Sequence, residues 1–148
     1  RWDEIDLAAA VWTLPPQRMK SGREHRVALS EAAASILRKL AAVRRSEFVF
    51  PGVKADRPLS ERALAMLLLR MRIDATTHGF RSSFRDWCGN ETNFPREIAE
   101  SALAHAVGDA VERAYRRGDA LEKRRALMQA WADYCDGKSN VVALTRTA

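Results

Sequence analysis

The spacing of the apolar residues changes at Ser30, and this change limits the fold more than any other feature of the 148-residue chain. Before it, Trp2 to Leu7, Ala10 to Leu14 and His25 to Leu29 are short, partly alternating runs, the pattern of strands whose side chains point to two faces. Pro15-Pro16 closes the second run. Ser21-Gly22 marks a turn before the third, with Lys20 beside it. From Ser30 onward the apolar residues recur at helical intervals. The expected fold is therefore α+β and mainly α-helical, with a small N-terminal antiparallel sheet followed by helices.

Ser30 is suited to cap a helix running to about Arg45, with Ile36, Leu37, Leu40 and Val43 on one face. Glu47 to Pro51 reads as a short extended piece with Phe48 and Phe50 on one side. Ser60 is placed to cap a second helix, whose Leu64, Leu67, Leu68 and Met71 follow the i, i+3, i+4, i+7 rule. A third helix is expected from about Thr77. Phe80, Phe84, Trp87 and Cys88 form its apolar stripe and Gly89-Asn90 its stop. Pro95 suits the first turn of a fourth helix through Leu103. A short helix is expected around Asp109 to Arg116. Asp119 then opens a last helix with Glu122 three residues on, a start like a capping box. Leu121, Met128, Trp131 and Cys135 give it an apolar face and Gly137 ends it. Residues 1–137 are thus read as one domain and 138–148 as a flexible tail. Trp87, Trp131, Phe48 and Phe50 are assigned to the core.

Composition narrows the function classes. The chain is 47% hydrophobic and 30% charged, ordinary for a soluble domain. No apolar run approaches the roughly 18 residues of a membrane span. Arg1-Trp2-Asp3-Glu4 lacks a signal peptide's apolar stretch. The first residue is not Met, so a piece of a longer protein is expected. Cys88 and Cys135 make no disulfide framework, which points to a reduced intracellular setting. A net charge of +6 favours a polyanionic partner such as nucleic acid. His78, His105, Cys88 and Cys135 are metal-ligand types without metal-ligand spacing, so no metal site is assigned.

Two segments stand out chemically. His78, Arg81 and Arg85 lie at i, i+3 and i+7, on one face near a helix start, an arrangement suited to phosphate. A solvated basic face is the plainer alternative for any one pair. Tyr115 lies in Arg113-Ala114-Tyr115-Arg116-Arg117, where a cationic field would stabilise a phenolate. A surface tyrosine packed on arginine stems is equally compatible with that run. His25, near Lys20, reads either as a contact to a nucleic-acid backbone or as plain surface.

The order of these residues resembles the tyrosine recombinase, or phage integrase, family. Thr77-His78-Gly79-Phe80-Arg81 resembles its His-x-x-Arg box, Leu103-Ala104-His105 its Leu-Gly-His box, and Ala114-Tyr115-Arg116-Arg117 its nucleophile segment. Arg18-Met19-Lys20 followed by His25-Arg26-Val27-Ala28-Leu29-Ser30 looks like the β-hairpin lysine and the Val-Pro-Leu-Ser strand. Met128 to Tyr134 resembles the final helix of satellite-phage-type prophage integrases. The resemblance runs from Trp2 to about Gly137, and alanine stands at 28 and 104 where the family has proline and, frequently, glycine.

The resemblance implies a partial C-terminal catalytic domain with the fold of that family. It also implies site-specific recombination that integrates a prophage or genomic island. Tyr115 would attack the scissile phosphate, Arg81 and His105 hold its non-bridging oxygens, His78 assist proton transfer and Lys20 protonate the leaving 5′-oxygen. Arg18, Arg85, Arg113 and Arg116 would contact DNA. Double-stranded DNA bearing attachment sites is the implied partner, a homotetramer the assembly on it, with a free monomer allowed. No metal or other cofactor and no membrane is implied, and the setting is the bacterial cytoplasm and nucleoid. The family's first arginine, in a Thr-Gly-x-Arg-x-x-Glu segment, has no match here, so the isolated chain is expected to be defective. A non-catalytic DNA-binding module and an inactive prophage remnant are the alternatives.

Overall fold

The computed structural model describes residues 1–54, 56–105 and 119–138. The expected sheet forms in its expected order. Strands β1 (Ile5–Asp6), β2 (Val11–Leu14) and β3 (His25–Ala28) are antiparallel neighbours. Val11 lies opposite Ala28 and Leu14 opposite His25. Val11 and Ala28 are both buried, and together they face Leu121 of the last helix. Of the other residues in these strands, Asp6 and Arg26 are exposed and the rest are partly buried. The first run is shorter than expected. Trp2–Glu4 form a 3-10 turn that buries Trp2, whose backbone N–H donates to the Glu47 carbonyl at 2.9 Å.

Helix α1 spans Glu31–Ala42, and the Ser30 hydroxyl caps it by accepting from Ala33 N–H at 3.3 Å. Helix α2 spans Ala63–Arg70, α3 Gly79–Glu91, α4 Arg96–Ala102 and α5 Leu121–Cys135. The core sits between α3, α4 and α5. Phe84, Trp87 and Cys88 of α3 pack with Ile98 and Ala99 of α4 and with Leu127 of α5. Complete burial of Leu127 contributes about 1.5–3 kcal/mol. Trp131 meets Phe84 edge-on at 5.5 Å and Trp87 at 5.0 Å, geometries that add to simple burial. This aromatic cluster fixes the angle at which α3 presents its basic edge, about a quarter turn around the helix.

Helix α5 also fastens the sheet and α1. Arg124 is fully buried. It donates to the Arg26 carbonyl of β3 at 2.5 Å and to Asp119 at 2.8 Å. Burial, then the neighbouring Arg26 charge, push its guanidinium down, against the pull of Asp119. The Gln129 side-chain carbonyl accepts from Glu31 N–H at 2.9 Å, satisfying a free donor at the start of α1. Gly137, at φ +68, ends α5 as expected, with Lys138 N–H returning to the Asp133 carbonyl at 2.9 Å.

Several local expectations are corrected. Helix α2 begins after Arg62 and has no side-chain cap, so Ser60 lies outside it. Helix α3 runs through Gly89 and Asn90 to Glu91. It begins after His78, where the Thr76 hydroxyl accepts from Gly79 N–H at 3.0 Å. Pro95 is the residue before the first turn of α4, not in it. Asp119 does engage the start of α5, accepting from Leu121 N–H at 3.1 Å, but Glu122 pairs with Arg125 instead of closing a box. Phe50 is exposed rather than core, as are Ile36 and Val43 of the α1 stripe, Leu64, Leu67 and Met71 of the α2 stripe, and Phe80 of α3. Cys135 is exposed as well. In these places periodicity identifies an apolar face, but nothing among the described residues covers it. The expected helix around Asp109 to Arg116 and the tail from 139 onward lie outside the described residues.

Candidate active site

Helix α3 carries arginines on the edge turned from the aromatic cluster, and the end of α4 brings a histidine to them. The Arg81 guanidinium donates through Nη2 to the Leu103 carbonyl at 2.8 Å and lies 2.7 Å from His105 Nε2. Arg81 and His105 are 24 residues apart in sequence, so the tertiary fold creates this pair.

A tight turn delivers His105. After α4 the chain bends at Ala104, which adopts φ +57. Ala104 N–H bonds the Ser101 carbonyl at 3.1 Å and His105 N–H the Glu100 carbonyl at 2.9 Å. This is the Schellman pattern, in which the residue with positive φ is usually glycine because Cβ crowds the backbone there. Glycine's frequency at this place in the family thus has a backbone cause. Ala104→Gly should stabilise the fold by about 1 kcal/mol, read from denaturant unfolding. A loss of stability would contradict this account of the turn.

The two side chains form one wall of an open groove of about 1100 Å³. His78 lines it from just before α3, Arg85 from α3, Arg96 from α4, and Lys20 from the hairpin. Lys20 follows the Pro16–Arg18 3-10 turn, and Gly22, at φ +64, reverses the chain with its N–H on the Met19 carbonyl at 2.9 Å. Four of the residues singled out for chemistry, Lys20, His78, Arg81 and His105, therefore meet in one groove.

Glu100 was not singled out from sequence, yet it lies at the centre of the polar network. One carboxylate oxygen lies 2.5 Å from His105 Nδ1, and the other accepts from Arg85 Nε at 2.7 Å. Arg96 Nε lies 3.7 Å from that second oxygen. Hydrogen bonds from His105 and then Arg85 outweigh burial and hold the Glu100 carboxyl down at about 2. Arg85, expected to contact DNA, thus already has an anionic partner within the protein. Arg18 pairs with Glu4, at 2.5 Å and 2.7 Å to its two oxygens, and does not line the groove. Burial opposes ionisation of Glu4, but hydrogen bonds from Arg18 and then Trp12 lower its carboxyl below the usual carboxylate range. His25 is half-buried away from the groove lining. Burial and the Arg124 charge push its imidazole down, against a hydrogen bond to the Ala102 backbone. Tyr115, Arg113 and Arg116 lie outside the described residues.

Such a groove can bind a phosphodiester. Arg81 offers planar, permanently charged donors, and the His105 ring offers Nε2 beside them. The profile of the phage integrase family matches residues 1–122. The chain belongs to the phage integrase family. Among its relatives, this integrase chain is 41% identical to the prophage integrase IntA of Escherichia coli K12, over 90% of this chain and 33% of that protein. It is 32% identical to the integrase of Shigella phage Sf6, over 93% of this chain and 37% of the relative. It is 33% identical to the integrase of Enterobacteria phage P4, over 95% of this chain and 36% of the relative. The integrase chain thus spans about a third of the length of the curated relatives it matches. No solved structure matches it. Among the described residues no helix is long and apolar enough to cross a membrane.

Proposed function

We propose that this chain is the catalytic portion of a site-specific DNA recombinase that cleaves and rejoins strands through a 3′-phosphotyrosyl intermediate. The observation that carries the reading is the convergence of Arg81, His105, His78 and Lys20 on one open groove, from segments far apart in sequence. The resemblance supplies the roles. The Tyr115 phenol oxygen forms a bond to the scissile phosphorus, and the bond to the 5′-oxygen breaks. His78 takes up the phenol proton and Lys20 gives one to the departing 5′-oxygen. Arg81 and His105 hold the non-bridging oxygens as negative charge builds, where fixed donors act most strongly. The phosphotyrosine conserves the diester's energy, so a 5′-hydroxyl of a second strand reverses the step and reseals the DNA.

The partner is duplex DNA carrying attachment sites, and the working assembly is a tetramer of the full-length protein. The Thr-Gly-x-Arg-x-x-Glu segment of the family has no counterpart in this sequence, so this chain alone lacks one cation of the clamp and cleaves slowly. The test uses the full-length protein and a nicked duplex that bears the element's attachment site and traps a cleaved strand. Protein covalently joined to the DNA 3′ end is expected. Strands cut to free 3′-hydroxyls, or bound but never cut, would contradict the reading.

The role of Lys20 has its own test. Lys20→Ala should slow cleavage of ordinary DNA by about 10²–10⁴-fold, the usual weight of a general acid. A substrate with sulfur at the bridging 5′ position has a leaving group that needs no proton, and on it the variant should match the parent. Equal slowing on both substrates would remove Lys20 from this role.

A further inference from the structure

We infer that Glu100 is the positioning residue of the site: it clamps His105 so that Nε2 alone is left for the phosphate. The inference deepens the recombinase reading and rests on it. Glu100 holds His105 twice, its backbone carbonyl accepting the His105 N–H at 2.9 Å and its carboxylate meeting Nδ1 at 2.5 Å. One residue thus sets both where the His105 backbone stands and how its ring is turned. The partners differ in exposure, with the Glu100 side chain 14% open and that of His105 45% open. The carboxylate is the seated member and the imidazole the presented one.

The donor inventory then assigns the proton. A carboxylate held near 2 is ionised wherever the protein is folded and working, so it only accepts, and Nδ1 must carry the hydrogen. Arginine only donates, so Nε2, 2.7 Å from Arg81 Nη2, presents its lone pair in the unliganded groove, and it holds a phosphate oxygen by taking up a proton and donating it, the ring then being the imidazolium that the Glu100 carboxylate favours. The ring that Glu100 holds is therefore the Nδ1–H tautomer, with Nε2 turned to the groove beside Arg81. Arg85 completes the arrangement by holding the other carboxylate oxygen at 2.7 Å, which stops the carboxylate from rotating. A carboxylate that fixes the tautomer and orientation of a working histidine acts through that histidine and does not touch substrate.

The experiment labels histidine with ¹⁵N in the full-length protein and reads ring tautomers from long-range ¹H–¹⁵N correlations. The His105 signal is assigned by its loss in His105→Gln. The parent should show the Nδ1–H form. Glu100→Ala should convert His105 toward the Nε2–H form, and Glu100→Gln, which keeps side-chain volume and one carbonyl acceptor, should fall between. Covalent-complex formation at saturating DNA should drop about a hundredfold in Glu100→Ala, as expected when a catalytic group is misplaced. It should recover partly in Glu100→Gln.

An Nε2–H parent overturns the proposal. So does a tautomer that Glu100→Gln and Glu100→Ala leave unchanged, or a cleavage rate that survives the tautomer change. Should Glu100→Ala fail to fold, the tautomer and rate of Glu100→Gln decide alone. Expected tautomers without covalent capture by the parent would support the clamp and contradict the recombinase reading.

Discussion

Arg81→Ala should lower the single-turnover rate of covalent-complex formation by about a hundred- to a thousandfold, the cost of removing one preorganised donor from a developing oxyanion. The argument starts from the geometry. Arg81 is held on the basic edge of α3, and one of its nitrogens already serves the Leu103 carbonyl and His105. Among the described residues its remaining N–H groups have no partner, and they suit phosphate oxygens in a fixed fork. Lysine cannot copy that fork, so Arg81→Lys should recover only a small part of the rate. Measuring at saturating protein separates this loss from weaker DNA binding. The loss of the Leu103 contact is checked by melting. A folded Arg81→Ala variant that cleaves within about threefold of the parent would show that the oxyanion is stabilised elsewhere, since even one such donor is worth far more.

The features legible in the sequence are those with strong local chemistry. The cap at Ser30 and the stop at Gly137 each depend on residues within a few positions of one another, and the three strands pair with their neighbours in sequence, each marked by its own alternating run. Likewise His78, Arg81, His105 and Lys20 could be named because each lies in a short recognisable segment, and the groove then gathers them. Features set by distant partners were not legible. Glu100 lies in a run with Glu97 that looks like a solvated helix face, and only the approach of Arg85 and His105 gives it a function. Arg124 sits between Lys123 and Arg125, and nothing local marks it as the buried one that reaches the Arg26 carbonyl. Arg18 pairs with Glu4 across 14 residues of sequence. Exposure of the α2 stripe and of Phe50 was illegible for the same reason, because periodicity defines a face without saying what covers it. Ala104 illustrates a subtler limit. Its residue type was noted, but the positive φ that makes that type matter became visible only in the turn that presents His105.

The second large effect concerns the nucleophile. Tyr115→Phe removes a single oxygen and keeps the ring and the overall charge. Binding should therefore be unchanged while covalent capture disappears, a drop of roughly 10⁴-fold or more, as expected when the attacking group itself is lost. A binding module, by contrast, would be indifferent to that oxygen.

The decisive measurement is peptide mapping of the covalent complex formed on the nicked attachment-site duplex by the full-length protein, with Tyr115→Phe run beside it. The account predicts a nucleotide phosphate attached to the peptide that contains Tyr115, and no complex at all from the phenylalanine variant at equal DNA occupancy. A phosphate on another residue, or a complex that persists in Tyr115→Phe, would contradict it.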